Sequence, residues 1–407
     1  MPAHAAPKRP VILLVAEAVT LAHFARIATL ARALDHNSYQ VVVAGDPRYA
    51  KLDPEISAGL IPLDTIPGAT FAQALAQGKP LYDEATLARY VEADLALIAQ
   101  VRPDLVVGDF RLSLAVSAPL SRVPYAAVVN AYWSPYARVD YPIPDLPISR
   151  LLGVGLAQRL FDLTRPLVFA GHARPLNRVR RKFGLPALGH DLRHSYTWGD
   201  YTLYADLPEV VPTSPLPRHH RYLGPLIWSA RTALPAWWDE LPADRPSVCL
   251  TLGSSGNAGS LPEAVQALSR LPVNLLVATL GHPLPKALPD NVFAADYLPL
   301  DETLRRAQLL ICNGGSLSTY QAMALGVPVV GVCGNLDQLL NMRAVQRLGC
   351  GITLRAGGLA AATLAAHAAE LLRTSGPGCE RMAELLRRHD SMTRFRAFVA
   401  EAIAGQA

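Results

Sequence analysis

Leu309–Leu354 reads LLICNGGSLSTYQAMALGVPVVGVCGNLDQLLNMRAVQRLGCGITL, and the alternation of its apolar and small residues predicts the fold. Leu309–Cys312 is a short apolar run of the kind that forms a buried strand. Gly314-Gly315 then turns the chain into a helix opening around Ser316 to Ser318. A second strand follows at Val327–Cys333, and after it a loop bearing Asp337 and Gln338. Glycines let the backbone approach a ligand closely, and a helix N-terminus offers free N–H groups and partial positive charge. Such a turn suits a diphosphate. Asn313, Gly314, Gly315 and Ser316 would line it, Ser318 and Thr319 could add hydroxyl donors, and Gln321 could reach a ribose. The same letters also have a plain reading. Gly-Gly opens many α/β helices, and Ser318-x-x-Gln321 is a capping box that needs no ligand.

Working outward, the rest of the chain repeats this grammar. Apolar runs at Val11–Ala16, Tyr39–Ala44, Leu105–Gly108 and Tyr125–Asn130 precede or follow stretches of helical period such as Ala25–Leu34 and Ala85–Val101. The second half adds Ser247–Leu252, Asn274–Thr279 and Asn291–Ala294. Continuous apolar strands between helices predict parallel sheets covered on both faces, hence two doubly wound Rossmann-like α/β domains. We place them at residues 1–215 and 216–380, with a proline-rich linker around 211–225. Cys379–Ile403 reads as one or two amphipathic helices, with a C-terminal segment 381–407.

Composition narrows the class. The chain has 407 residues, 51% of them hydrophobic and 17% charged, which excludes a largely disordered protein and supplies two cores. The net charge of +5 comes without a block of five or six like charges. Nothing resembles a targeting segment or a run of ~20 apolar residues, so the expectation is a cytoplasmic protein. The five cysteines never stand in C-x-x-C spacing and border strands, as small reduced core residues do. No ligand cluster points to a metal, and no module points to nucleic acid.

Two residues of the first half carry chemistry. His23 sits at the mouth of the turn after the first strand, at the sheet edge where open α/β folds bind ligands. Asp109 ends the apolar strand Leu105–Gly108 at the same edge. A neutral imidazole can accept a hydroxyl proton, and a carboxylate can orient it. The bland alternatives are a helix-start residue and a helix cap.

The whole stretch from 309 to 354 resembles the donor-sugar signature of the family-1 glycosyltransferases, which include plant and bacterial antibiotic and glycolipid enzymes. The family pattern of His-x-Gly-x-x-Ser/Thr-x-x-Glu, Gly-Val-Pro and Asp-Gln reads here as Asn313, Gly315, Ser318, Gln321, Gly326-Val327-Pro328 and Asp337-Gln338. Tyr222–Leu226 resembles the interdomain phrase, Val248–Ser254 the first C-terminal strand and loop, and Tyr297-Leu298-Pro299 the nucleobase turn. The resemblance implies a GT-B-like fold of two domains facing across a cleft, the N-terminal one for the acceptor and the C-terminal one for the donor. It implies a final helix that crosses back to the first domain. It also implies metal-independent, inverting transfer of a hexose from a UDP- or dTDP-linked sugar, with no other cofactor. His23 and Asp109 would form the base dyad. Ser254, Ser255, Tyr297 and Leu298 would join the diphosphate turn in holding the nucleotide, and Asp337 and Gln338 would hold sugar hydroxyls.

Asn313 stands where the family has His, and Gln321 where it has Glu. These departures keep a second reading open, a catalytically silent partner that retains the fold. A nucleotide-sugar epimerase is a more distant third. The acceptor would be a small hydrophobic molecule or a lipid with a free hydroxyl. Tyr125, Tyr132, Trp133, Tyr136 and Tyr141 could wall its pocket or simply pack the core. Arg178, Arg180, Arg181 and Lys182 could meet an anionic membrane or solvate a helix face. The sequence leaves open whether the chain is a monomer or a homodimer.

Overall fold

A computed structural model describes residues 9–253, 258–374 and 376–405. Seven strands form the first sheet: β1 (Val11–Ala16), β2 (Gln40–Gly45), β3 (Ile61–Pro62), β4 (Leu105–Asp109), β5 (Tyr125–Val129), β6 (Tyr201–Tyr204) and β7 (His220–Tyr222). Six form the second: β8 (Ser247–Thr251), β9 (Asn274–Ala278), β10 (Val292–Ala295), β11 (Ala307–Cys312), β12 (Val329–Cys333) and β13 (Gly351–Arg355). Every pairing in both sheets is parallel.

The strands are buried on both faces because their side chains feed two cores at once. In β1, Ile12, Leu14 and Ala16 pack with Ile27 and Leu30 of the helix Leu21–Ala33. Leu13 and Val15 point the other way, onto Leu97, Ile98 and Leu114. Each such side chain, when fully buried, stabilises the fold by about 1.5–3 kcal/mol. In β8, Val248 and Leu250 serve one layer while Cys249 serves the other. All five cysteines are buried and unpaired with one another as disulfides.

Strand order sets where a ligand can sit. The first sheet runs β3-β2-β1-β4-β5-β6-β7, and the second β10-β9-β8-β11-β12-β13. Order reverses between β1 and β4 and again between β8 and β11. At each reversal the loops leaving the strands part, and a crevice opens at the strands' C-terminal ends.

Two boundaries differ from the sequence expectation. β7 pairs with β6, so the first sheet extends to Tyr222 and the limit at 215/216 falls inside that domain. Residues 211–225 are therefore not a free linker, and the chain passes between domains across 223–246. The return crossing also comes later than residue 381. The helix Pro377–Arg387 stays against the helix Ser316–Ala324 of the second domain. The last helix, Ser391–Ala404, buries Phe395, Phe398 and Val399 in the core of the first domain. The two crossings touch: His389 Nε2 lies 3.0 Å from the Leu223 carbonyl, and Ser391 Oγ donates to the Pro225 carbonyl at 2.8 Å. Gly224 stands between them at φ +104°, where a Cβ would come within 2.1 Å of the His389 ring. Only glycine fits there.

Candidate active site

His23 is the third residue of the helix that follows β1, and Asp109 is the last of β4, so the first reversal point brings them together. His23 Nδ1 lies 2.7 Å from Asp109 Oδ1. Asp109 is fully buried, whereas the His23 side chain keeps 13% exposure, enough to present Nε2 to a ligand. Phe110 follows Asp109 with a left-handed backbone, φ +59°, and its ring stacks on His23 at 4.9 Å and 7°. That conformation costs a non-glycine residue about 1–2 kcal/mol, and it is found here where it clamps the imidazole.

Arg26, one turn after His23, was not singled out by the sequence reading. Its Nη2 donates to Asp109 Oδ1 at 3.1 Å, and its Nη1 to Asn130 Oδ1 at 2.8 Å. Nε adds an ion contact of 2.7 Å to Asp109 Oδ2 without hydrogen-bond alignment. Arg26 Nη2 also lies 3.1 Å from His23 Nδ1, so imidazole and guanidinium converge as two donors on one carboxylate oxygen. The buried carboxylate thus has a full cationic partner, as a charge out of water requires. The i, i+3 spacing of His23 and Arg26 on one helix face was the available signal.

Among the described residues, the second reversal point has no charged side chain on the loops leaving β8 and β11. Gly253, after β8, sits at φ +64°, and a Cβ on it would approach the Asn313 amide to 2.8 Å. Asn313, after β11, is buried, and its Oδ1 accepts from the Gly315 amide at 3.2 Å. Gly315 caps the helix Ser316–Ala324 through its backbone alone, so the Ser318–Gln321 capping box is not made. Ser316 and Ser318 face the cavity described below, as do Asn313, Gly315, Tyr297 and Leu298. Gln321 lines it too, but its Nε2 is spent on the Trp228 carbonyl at 2.7 Å.

Two expected nucleotide contacts lie outside the cavity lining. Gly314, at φ +81°, is packed under Met342 and Cys333. Thr319 is fully buried; its hydroxyl donates to the Ser316 carbonyl and accepts from Asn341, which steadies the turn from behind. Ser254 and Ser255 lie outside the described residues. Asp337 and Gln338 both line the cavity. Asp337 Oδ1 accepts from Trp133 Nε1 at 2.8 Å, while Gln338 Oε1 accepts from the Gly334 amide at 2.9 Å in a capping box with Asn335.

The two reversal points face each other across one cavity of about 400 Å³, a size suited to a small-molecule ligand. Its wall in the first domain is apolar: Phe71, Leu75, Phe161, Phe169, Leu192 and Tyr196 all contribute. Of the five aromatic residues singled out between 125 and 141, only Trp133 lines it. Tyr125, Tyr132 and Tyr141 are core residues, and Tyr136 packs on His220. The domains are wired together beside the cavity. Asn130 accepts from Arg26 and lies 3.5 Å from Ser316 Oγ, and its Nδ2 donates to Asp206 at 3.1 Å. Asp206 in turn receives the Tyr320 hydroxyl of the opposite domain at 2.8 Å. Burial pushes the Asp206 carboxyl above the usual range, opposed by these hydrogen bonds.

Comparison with known proteins returns one consistent set. A family model described as the erythromycin biosynthesis protein CIII-like C-terminal domain matches residues 273–389. The chain is 51% identical over 350 residues to the PGL/p-HBAD biosynthesis rhamnosyltransferase of Mycobacterium bovis (strain BCG / Pasteur 1173P2), covering 86% of this chain and 78% of that one. It is also 49% identical over 263 residues to an inactive PGL/p-HBAD biosynthesis glycosyltransferase of the same strain, covering 65% and 72%. Among solved structures, the spinosyn rhamnosyltransferase SpnG complexed with thymidine diphosphate matches with TM-score 0.67 at 19% identity, covering 96% and 99%.

Proposed function

The chain belongs to the family-1 glycosyltransferases of GT-B fold, and from that premise we propose that it transfers rhamnose from a thymidine-diphosphate donor to a hydroxyl of an apolar acceptor, with inversion at the anomeric carbon. The observation that carries this reading is the opposition, across one cavity, of a His23–Asp109 pair and an amide-rich helix turn. The rhamnosyltransferase relative supports the choice of sugar, and the thymidine diphosphate bound to SpnG supports the choice of nucleotide. The aromatic and aliphatic wall favours an acceptor with an aromatic or lipid body.

In this mechanism the acceptor hydroxyl gives its proton to His23 Nε2 as its oxygen bonds to the anomeric carbon. The bond from that carbon to the β-phosphate oxygen breaks, and the nucleoside diphosphate leaves from the opposite face. Asp109 and Arg26 hold the imidazole, with Nδ1–H directed at Asp109, so that only Nε2 is offered to the acceptor. The developing charge on the leaving diphosphate meets the backbone N–H groups at Ser316–Ser318, the two serine hydroxyls and the Asn313 Nδ2 amide. Asp337 and Gln338 would orient the sugar hydroxyls.

The test combines binding with turnover. Thermal denaturation with TDP, UDP, GDP or ADP should single out TDP, which at about 100 times its dissociation constant adds ~2.7 kcal/mol of stability. TDP-rhamnose with a long-chain 4-alkylphenol should then give the rhamnoside. A TDP shift without any transfer would favour the silent reading, which the inactive relative makes concrete. No shift with any nucleotide would overturn the donor site.

A further inference from the structure

The helix Val154–Lys182 has two apolar faces, and only one is covered. Its inner face puts Phe161 and Phe169 into the cavity wall. Its outer face is bare. Among the described residues thirteen large apolar side chains are exposed; six of them lie on this helix and three more, Ile148, Leu151 and Leu152, on the short helix Pro147–Leu152 just before it. Singly exposed leucines are ordinary, but a contiguous patch marks an interaction surface. Leu156, Leu160, Leu163 and Leu167 follow helical spacing along one stripe, with Leu163 79% and Leu167 75% exposed.

The charge around the stripe identifies its partner. Between Pro147 and Lys182 there are seven arginines and one lysine against a single acid, Asp162. Arg180 is buried, and Arg150 and Arg178 pair with Asp145 and Glu84, which leaves the balance of the segment strongly positive. An apolar stripe flanked by cations is the pattern of a helix lying in the interface of an anionic bilayer. A second copy of this chain fits poorly, because a two-fold contact would set like charge against like. No helix among the described residues is long and apolar enough to cross a membrane, so the segment lies on the surface.

The stripe is also continuous with the cavity. Val168 is 38% exposed and lines the cavity as well, next to Phe169, so apolar side chains reach from the outer face to the cavity. His172 joins this edge to the turn after the helix Gly68–Gln77 through the Gly78 carbonyl at 3.1 Å. We infer that the outer face of residues 148–168 docks on an anionic lipid surface and passes a lipid-embedded acceptor along Val168 into the cavity. The delivery step rests on the proposed acceptor class; the docking step does not.

The experiment is flotation of the full chain with vesicles of phosphatidylcholine alone or mixed in equal parts with phosphatidylglycerol. The protein should float with the mixed vesicles and much less with the neutral ones. The double variant L163S/L167S should bind mixed vesicles at least about tenfold more weakly, since two exposed leucines no longer enter the interface. Its melting temperature and its transfer to a short water-soluble phenol should match the parent, because neither leucine lines the cavity. Transfer to a vesicle-embedded alkylphenol should fall with binding. Equal flotation of parent and variant overturns the docking surface. So does a concentration-dependent dimer that the double variant dissolves, which would assign the stripe to a second copy. If neither protein glycosylates any phenol while the parent still floats and the variant does not, the acceptor reading fails and the docking surface stands.

Discussion

The two reversal points occupy the same place in their sheets but solve opposite electrostatic problems. Between β1 and β4 the groups are ionisable and buried: Asp109 is fully enclosed, and Arg26 is 6% exposed. Between β8 and β11 the described groups are glycines, an amide, hydroxyls and backbone N–H donors. A base must gain a proton during reaction, so it needs a fixed counter-charge beside it. A diphosphate arrives already charged, so a helix terminus and neutral donors can receive it without burying a cation. The first point should therefore tolerate substitution badly in turnover, and the second mildly in affinity.

The largest expected effect is on turnover. His23→Ala should lower kcat by about 10²–10⁴-fold while leaving TDP affinity within about twofold, because the base acts only in the transition state. Steady-state rates alongside TDP titration separate the two, and a loss below tenfold would remove His23 from the base role. Next comes Arg26→Met, which leaves the Asp109 carboxylate without its cation. Breaking a buried pair of this kind costs about 3 kcal/mol or more of stability, read as a lower denaturation midpoint. Arg26→Lys restores charge without the forked contacts to Asn130 and Asp109, so it should recover stability in part. A midpoint unchanged in Arg26→Met would show that Asp109 does not depend on it.

The same contrast explains what the sequence made legible. The second reversal point is built from consecutive residues, so strand, glycine turn and helix could be read as one phrase from Leu309 onward. Its finer assignments need the structure, because the turn has an inside and an outside. Thr319 and Gly314 face inward to Asn341 and Met342, and spacing alone does not distinguish that from facing a ligand. The first reversal point joins Asp109 to His23 across 86 residues and to Arg26 across 83, and Asn130 to Arg26 across 104, and only the sheet order brings them together. β6 and β7 escaped notice as short, tyrosine-bearing segments near prolines. The helix Val154–Lys182 was hidden for a different reason. Pro166 and Pro175 stand inside it, where proline argues against a helix, and leucines outside answer phenylalanines inside, so no single apolar stripe stands out.

The smallest effect concerns Asn313, and its sign tests the neutral character of the second point. Asn313→His would return an ionisable donor to the turn, beside Gly253, where the close approach of the chain leaves no space for a Cβ. An imidazolium adds to the hydrogen bond a direct charge–charge attraction that the amide lacks, worth about 1 kcal/mol at a partly solvated site, which corresponds to roughly fivefold tighter TDP binding. The gain requires imidazolium, whose unperturbed pKa is about 6.5. A bound diphosphate favours the protonated form, so the advantage is complete at low pH and fades as pH rises through the pKa of the complex. Calorimetric titration of TDP at acidic and alkaline pH reads both the size and the slope. Tighter binding at acid pH only would place position 313 against the diphosphate and show that the parent site works with a neutral amide there. Affinity unchanged at every pH would instead assign Asn313 to holding the Gly315 amide, which donates to its Oδ1 at 3.2 Å.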